Sequence, residues 1–166
     1  IISKGRLDMG VGRGNRPAEF KGYRVPQHEN RERFEEALEV MTRAWTQERF
    51  SYEGRYFHID DVRVIPKPVQ KPQPPIYQVC VSKESIENTA LRGWPMLNSV
   101  LYGPLDKLPD NRDIYVAALD KAGRTEAEKR GLLDRWGVSR HIYVADTDAQ
   151  ALEETKEAEL WYQESL

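Results

Sequence analysis

Gly10, Gly12 and Gly14 occupy alternate positions, with Arg13 between the last two, at the end of the apolar stretch LDMGVGRG, residues 7–14. Glycine lets a ligand approach the backbone and takes positive φ without steric cost, and arginine offers a planar fork of donors matched to phosphate oxygens. The combination suits a phosphate-bearing ligand; it would also serve as a tight turn after a sheet or barrel strand. It is not a GxGxxG dinucleotide fingerprint, because Asn15 and Pro17 follow where that helix would open, and it lacks the GK[ST] ending of a P-loop. Ser82 joins a hydroxyl to a helix start, where free N–H groups of Glu84 and Ser85 and the positive end of the helix dipole favour an anion. Capping of its own helix would account for Ser82 as well. Arg31, in ENRER, could reach the same anion or simply pair in solvent with Glu35 one turn on. His28, His58 and His141 share no metal-ligand spacing, and neither HExxH nor CxxC is present, so no metal site is expected. Asp60 and Asp61 are adjacent, which on a strand would point them to opposite faces, and they are assigned to a turn.

The elements that must carry these residues follow from periodicity. Phe34, Leu38, Met41 and Trp45, with Ala37 and Ala44 beside them, fall at helical spacing within residues 29–48, while Glu32, Glu35, Glu36, Glu39 and Arg43 occupy the other side. Residues 50–65 alternate around Glu53-Gly54-Arg55, which predicts a small hairpin and then a strand at 62–65, lying over the main fold. The segment PKPVQKPQPP, residues 66–75, has too few N–H donors for a ladder and should cross the surface as extended chain. Residues 76–81 form a continuous apolar run suited to a buried parallel strand, and the helix opened by Ser82 should end at Gly93. Strands at 96–100 and 139–145, a helix capped by Asp110 and running toward Gly123, and a last helix opened by Thr147-x-x-Gln150 and reaching Trp161 and Tyr162 complete the order. Such alternation predicts an α/β fold with parallel strands: four strand–helix units plus a hairpin excursion, half of a (β/α)8 TIM-type barrel. Ligands of such barrels gather at the carboxyl ends of strands, here the loops beginning at Gly12, Ser82, Leu101 and Asp146.

With 166 residues the chain can bury one ordinary core, and a net charge of −2 with interspersed signs offers no basic stripe for nucleic acid and no polybasic run for a membrane surface. Small molecules or further copies of the chain are the expected partners. Cys80 is the single cysteine, which excludes an internal disulfide, and its setting in VCV suggests a buried thiol in a reducing compartment, the cytoplasm. No apolar run approaches the ~20 residues of a membrane span, and no signal peptide opens the sequence. The sequence opens on Ile1 and stops at Leu166 inside a helical pattern, so it is expected to be an internal piece of a longer protein, with residues 1–166 forming one partial barrel domain.

Five segments in order, GRLDMGVGRG, ENRERFEEALEVMTRAW, FSYEGRYFHI, PKPVQKPQPPIY and SKESIENTALRGWPML, make the chain resemble the bacterial luciferase-like monooxygenase family of flavin-dependent oxidoreductases, well over residues 4–100 and loosely from 110 onward. The resemblance implies a β/α barrel that binds reduced FMN, or in a sister branch a deazaflavin, at the carboxyl ends of its strands. By motif position Arg13, Arg31, Ser82 and Ser85 match the flavin-phosphate ligands of bacterial luciferases, while Gly12 and Val81 line the cofactor's path through their backbones. Gly12 stands where some luciferases have cysteine, and Ser85 where they have threonine; the first argues against assuming light emission or an aldehyde substrate. The implied function is a flavin-dependent monooxygenase that inserts one oxygen atom of O2 into a small organic substrate, with a separate flavin reductase supplying reduced FMN and with self-association into a homo-oligomer. A deazaflavin-dependent oxidoreductase that transfers hydride, and a flavin-binding barrel without catalysis, are the alternatives. No catalytic acid or base carries over, because the family's chemistry lies largely on three earlier strands.

A half barrel exposes apolar sheet edges, so the 166-residue segment produced alone is expected to aggregate or to be unstable. Sedimentation and thermal melting check this, and a monomer that melts cooperatively contradicts it.

Overall fold

The computed structural model describes residues 2–99 and 105–164; the expected strand end at Val100, the loop start at Leu101 and the chain end at Leu166 lie outside the described residues. In chain order the elements are β1 (Met9–Val11), α1 (Pro17–Gly22), α2 (Asn30–Thr46), β2 (Phe50–Glu53), β3 (His58–Val62), β4 (Ile76–Cys80), α3 (Lys83–Arg92), β5 (Met96–Ser99), α4 (Lys107–Lys121), α5 (Glu126–Leu133), β6 (Gly137–Ser139) and α6 (Asp148–Glu164).

Ile76, Gln78 and Cys80 are buried and Tyr77 and Val79 half-buried, so β4 is covered on both faces, as a parallel strand requires. It pairs in parallel with β1 on one side (Met9 opposite Ile76, Val11 opposite Gln78) and with β5 on the other (Gln78 opposite Met96), and β5 pairs in parallel with β6. The sheet order β1-β4-β5-β6 follows the chain with no reversal. Parallel neighbours joined by helical crossovers in unbroken order form an arc of a (β/α)8 barrel, whereas a doubly wound sheet would reverse at a switch point.

The core lies between this sheet and α3 and α4: Cys80, Ile86, Ala90, Met96, Tyr115, Ala118 and Leu119, with Leu132, Leu133 and Trp136 packed against it. Its polar groups are satisfied across elements. Asn98 donates to the Cys80 carbonyl (3.4 Å) and accepts from Trp136 Nε1 (3.1 Å), tying β4, β5 and the approach to β6 together, and the Tyr115 hydroxyl donates to the Trp94 carbonyl (2.7 Å). Burial pushes the Tyr115 phenol well above its ordinary pKa and raises the Cys80 thiol, so both stay protonated. Gly93 ends α3 at φ 68°, a left-handed conformation in which a side chain would also meet the Arg124 guanidinium.

The long amphipathic helix, the hairpin, the extended proline segment and the helix from Ser82 to Gly93 stand where periodicity put them. Other expectations need correction. Asp60 and Asp61 belong to β3, and not to a turn. Between the pairs Phe50–Val62 and Tyr52–Ile59, β3 carries one residue more than β2, and Asp61 absorbs the bulge at φ 44° while its carboxylate accepts two bonds from Arg49 (2.7 and 2.6 Å). No separate strand occupies 62–65, because β3 ends at Val62 and no described strand lies alongside the next residues. Among the described residues the strand expected at 139–145 is confined to Gly137–Ser139, opposite Leu97, Asn98 and Ser99 of β5, and residues 140–145, largely exposed, have no described strand alongside. Asp110 lies in the first turn of α4, whose cap position is Asp106. Gln150 gives half the expected capping box, its N–H bonded to Thr147 Oγ1 (3.2 Å) but its side chain turned to Glu154 (2.7 Å).

The hairpin is fastened to α2 by two carboxylates, Glu32, which accepts from the Arg55 guanidinium (2.7 Å) and the Tyr56 hydroxyl (2.8 Å), and Glu36, which holds its backbone. Glu36 accepts from the backbone N–H groups of Arg55, Tyr56 and Phe57 (2.8, 3.0 and 3.1 Å), and a Cβ on Gly54 would collide with that carboxylate. Partial burial raises the Glu36 pKa, but the three backbone donors outweigh it and hold the group below the ordinary 4.5. A depressed native pKa means the clamp is complete above 4.5 and is lost as pH falls through the native value. Amide exchange at Arg55, Tyr56 and Phe57 in the full-length protein is therefore expected to lose protection in that acid range, and Glu36→Gln is expected to lose it at neutral pH. Full protection in Glu36→Gln would show that the Glu36 carboxylate is not what holds the hairpin backbone.

Candidate anion site at the strand ends

The start of α3 is built by two serines. After β4 the backbone stays extended at Ser82 (φ −136°, ψ 154°), and Ser82 Oγ accepts from the Ser85 N–H (3.3 Å). Ser85 Oγ in turn accepts from the N–H groups of Ser82 (3.1 Å) and Val81 (3.3 Å) and donates to the Ser82 carbonyl (2.7 Å). This is a complete capping box with serine in the place usually held by glutamate. It corrects one expectation: the Ser85 N–H is taken, and the donors left without an acceptor among the described residues at this helix start are the N–H groups of Lys83 and Glu84. Ser82 Oγ also donates to Ser85 Oγ (3.1 Å), whose two lone pairs are already shared with backbone donors, so the Ser82 proton is the one most readily turned to another acceptor.

Continued beyond β1, the parallel register carries Gly12 alongside Val79, where a Cβ would make ordinary van der Waals contact at 3.8 Å, and Val81 follows just past the end of β4 on the same edge of the sheet. Gly14 is the glycine the backbone itself demands, at φ 75°. Pro17 occupies the first turn of α1, a position that suits its fixed φ, so a helix does open where the sequence suggested none.

A cavity of about 340 Å³ opens at these strand ends, lined among others by Gly12, Arg13, Val81, Ser85, Ser99 and Tyr162. A narrower cleft beside it is shared by Arg13, Arg31, Glu84, Ser85 and Asn88. Five of the six sequence-derived residues thus line one connected region, and the sixth, Ser82, caps the helix that borders it. Arg13 faces both cavities and forms no hydrogen bond or ion pair with another described residue. Arg31 is paired, though not with Glu35: its guanidinium meets the Glu84 carboxylate across elements, and Glu35 is taken by Arg92. Asp146 lines neither cavity.

Two residues at the site carry no local sequence signal. Arg16 donates to the Tyr162 hydroxyl (3.1 Å) and lies 5.5 Å from the centre of its ring, bringing the end of α6 over the loop after β1. A larger cavity, about 570 Å³, lies between α2 and β2 beside Trp94, at the amino end of β5, and its arginines are already matched by Glu35 and Glu39. Among the described residues no group of three or more His, Cys, Asp or Glu is placed to hold a metal, and no helix is long and apolar enough to cross a membrane.

Known proteins share this fold. The family model described as luciferase-like monooxygenase matches residues 1–165. The chain is similar to the FMNH(2)-dependent dimethylsulfone monooxygenase of Pseudomonas putida, 35% identical over 151 residues, which cover 89% of this chain and 39% of that protein. It is also similar to the oxygenase component of the flavin-dependent trigonelline monooxygenase of Acinetobacter baylyi, 26% identical over 165 residues, 98% of this chain and 44% of that protein. Among solved structures, monooxygenase RslO1 from Streptomyces bottropensis superposes with a TM-score of 0.81 at 27% identity, covering 99% of this chain and 49% of that one. Two others share the fold at lower identity. The oxygenating constituent of 3,6-diketocamphane monooxygenase from Pseudomonas putida, solved in complex with FMN, gives a TM-score of 0.73 at 23% identity over 94% of this chain and 46% of that one. An F420-dependent secondary alcohol dehydrogenase gives 0.69 at 18% over 92% and 44%. The chain spans about two-fifths to one-half of the length of these relatives.

Because Ser82 Oγ satisfies the Ser85 N–H, Ser82→Ala is expected to cost about 0.5–2 kcal/mol in urea unfolding of the full-length protein, the usual range for a lost N-cap. A variant of unchanged stability would leave Ser82 without its capping role.

Proposed function

The chain belongs to the luciferase-like monooxygenase family, and on that premise we propose that it forms part of a flavin-dependent monooxygenase that uses reduced FMN and O2 to oxygenate a small organic substrate. The observation that carries this is the meeting of Arg13, Arg31 and the start of α3 at one cleft beside the ends of β1 and β4. Four features support a phosphate monoester: a guanidinium without a partner among the described residues, two helix N–H groups likewise unfilled, a serine hydroxyl at the same helix start, and a cavity bordered by Gly12.

In this proposal Arg13, Arg31, the N–H groups of Lys83 and Glu84 and the Ser82 hydroxyl hold the phosphate of FMN. Ser85 keeps the helix start in shape, since its own oxygen is committed to backbone. Gly12 and Val81 border the flavin's path through their backbones, the Val81 N–H being already bonded to Ser85. The flavin, when bound, supplies the activation of O2. Residues of this chain anchor and orient it, and none of them is assigned as a catalytic acid or base.

Residues 1–166 would make up one partial barrel domain, with further strands meeting the edges left open by β1 and β6. A separate reductase as the source of reduced FMN is supported by the name of the trigonelline relative, an oxygenase component. Self-association and a cytoplasmic location complete the proposal. A deazaflavin is the alternative cofactor, supported by the fold shared with the F420-dependent dehydrogenase. Titrating the full-length protein with reduced FMN and with reduced deazaflavin separates the two.

Arg13→Ala is expected to weaken FMN binding by about 1.5–3 kcal/mol, the range for hydrogen bonds to charged groups. Unchanged affinity in a flavin titration of the full-length protein removes Arg13 from the site.

A further inference from the structure

We infer that Glu84 sets how tightly the phosphate end is held and how readily it leaves, by competing with the ligand for Arg31. The inference rests on the phosphate proposal above and deepens it.

Glu84 occupies two opposed roles within one residue. Its backbone N–H is one of the two unfilled donors at the start of α3, which attract an anion, while its carboxylate lies in the same cleft and neutralises Arg31. The second carboxylate bordering the cleft, Glu35, is held by Arg92, so Glu84 is the acid that faces the arginines of the site. Without Glu84 the cleft would present two uncompensated guanidiniums beside a helix N-terminus. With it, Arg31 always has an acceptor, and the net attraction comes from Arg13 and the helix start.

The exchange is cheap. Arg31 and Glu84 have side-chain exposures of 54% and 52%, and ion pairs that exposed stabilise by about fivefold or less in an equilibrium constant. An arriving phosphate dianion outbids a single carboxylate for the guanidinium, and a departing one is replaced at once. Glu84 then lies within a few ångströms of the dianion whichever partner Arg31 has, and its charge opposes binding throughout. This suits a flavin that arrives reduced from another protein and leaves again, and it would be a disadvantage for one held permanently.

The test compares FMN with riboflavin, which lacks the phosphate, in fluorescence titrations of the full-length protein, with inorganic phosphate as competitor. Glu84→Gln removes the charge and keeps the shape. It is expected to tighten FMN by about three- to tenfold, to make phosphate a better competitor by a similar factor, and to leave riboflavin unchanged, the size expected for one unit charge a few ångströms away at the surface. Glu84→Asp, which keeps the charge, is expected to stay close to the parent protein. FMN affinity that is unchanged or weaker in Glu84→Gln, or riboflavin affinity that rises in step with FMN, overturns the inference. Arg13→Ala separates the two levels: if it weakens FMN while Glu84→Gln does nothing, Glu84 alone loses its role, and if neither variant moves FMN affinity, the phosphate assignment falls as well.

Discussion

The parallel ladder between β1 and β4 is the contact on which everything else depends. Met9 faces Ile76 and Val11 faces Gln78, so two segments more than sixty residues apart end on one edge of the sheet. In that register Gly12 and Arg13 continue alongside Val79 and Cys80, and so reach the cavity that Val81 and Ser85 also line. The long excursion between them, α1, α2, the hairpin and the proline segment, can vary without moving that edge, because the backbone ladder and the burial of β4 on both faces fix the register. Even the proline segment is tied in: the Met9 N–H bonds to the Pro75 carbonyl (2.9 Å) and Gln70 reaches the Leu7 carbonyl (2.6 Å), so the crossover returns in a set position.

Around that edge, polar groups divide into those that hold the fold and those left over for a ligand. The two serines show the division most clearly. Ser85 spends its oxygen on the N–H groups of Val81 and Ser82, whereas the Lys83 and Glu84 N–H groups and the Arg13 guanidinium have no partner among the described residues. Buried donors are costly to leave unmet, and these are tolerated because Lys83 and Glu84 are exposed and Arg13 lines an open cavity, where water or an anion can reach them. Glu84 moderates the excess positive charge, so affinity for an anion is a balance among charges of both signs.

Much of the architecture was legible in local patterns. The spacing of Phe34, Leu38, Met41 and Trp45 gave α2, the apolar run at 76–80 gave β4, and Ser82 and Gly93 marked the two ends of α3. The errors share a cause. Strand length depends on what lies alongside, so β6 is described only where Leu97, Asn98 and Ser99 pair with it, and Asp61 is a bulge residue because β3 must absorb an extra position against β2. Two short helices went unread although their signals were present: Pro17 at the first turn of α1, and Thr125 and Glu128, whose reciprocal bonds (3.3 and 2.8 Å) open α5.

By itself the sequence determined which residues are suited to an anion, because guanidinium geometry, glycine's missing side chain and helix capping are properties of residue types and near neighbours. It determined the strand–helix order for the same reason. Only the tertiary structure decided which of those groups remain free. Arg31 pairs with Glu84 and not with Glu35, the Ser85 N–H is consumed by Ser82, and Tyr162 arrives at Arg16 from the far end of the chain. Pairing is a contest among all groups within reach, and reach in space is set by the packing of α2 and α3 beside the β1–β4 edge, which no local pattern encodes.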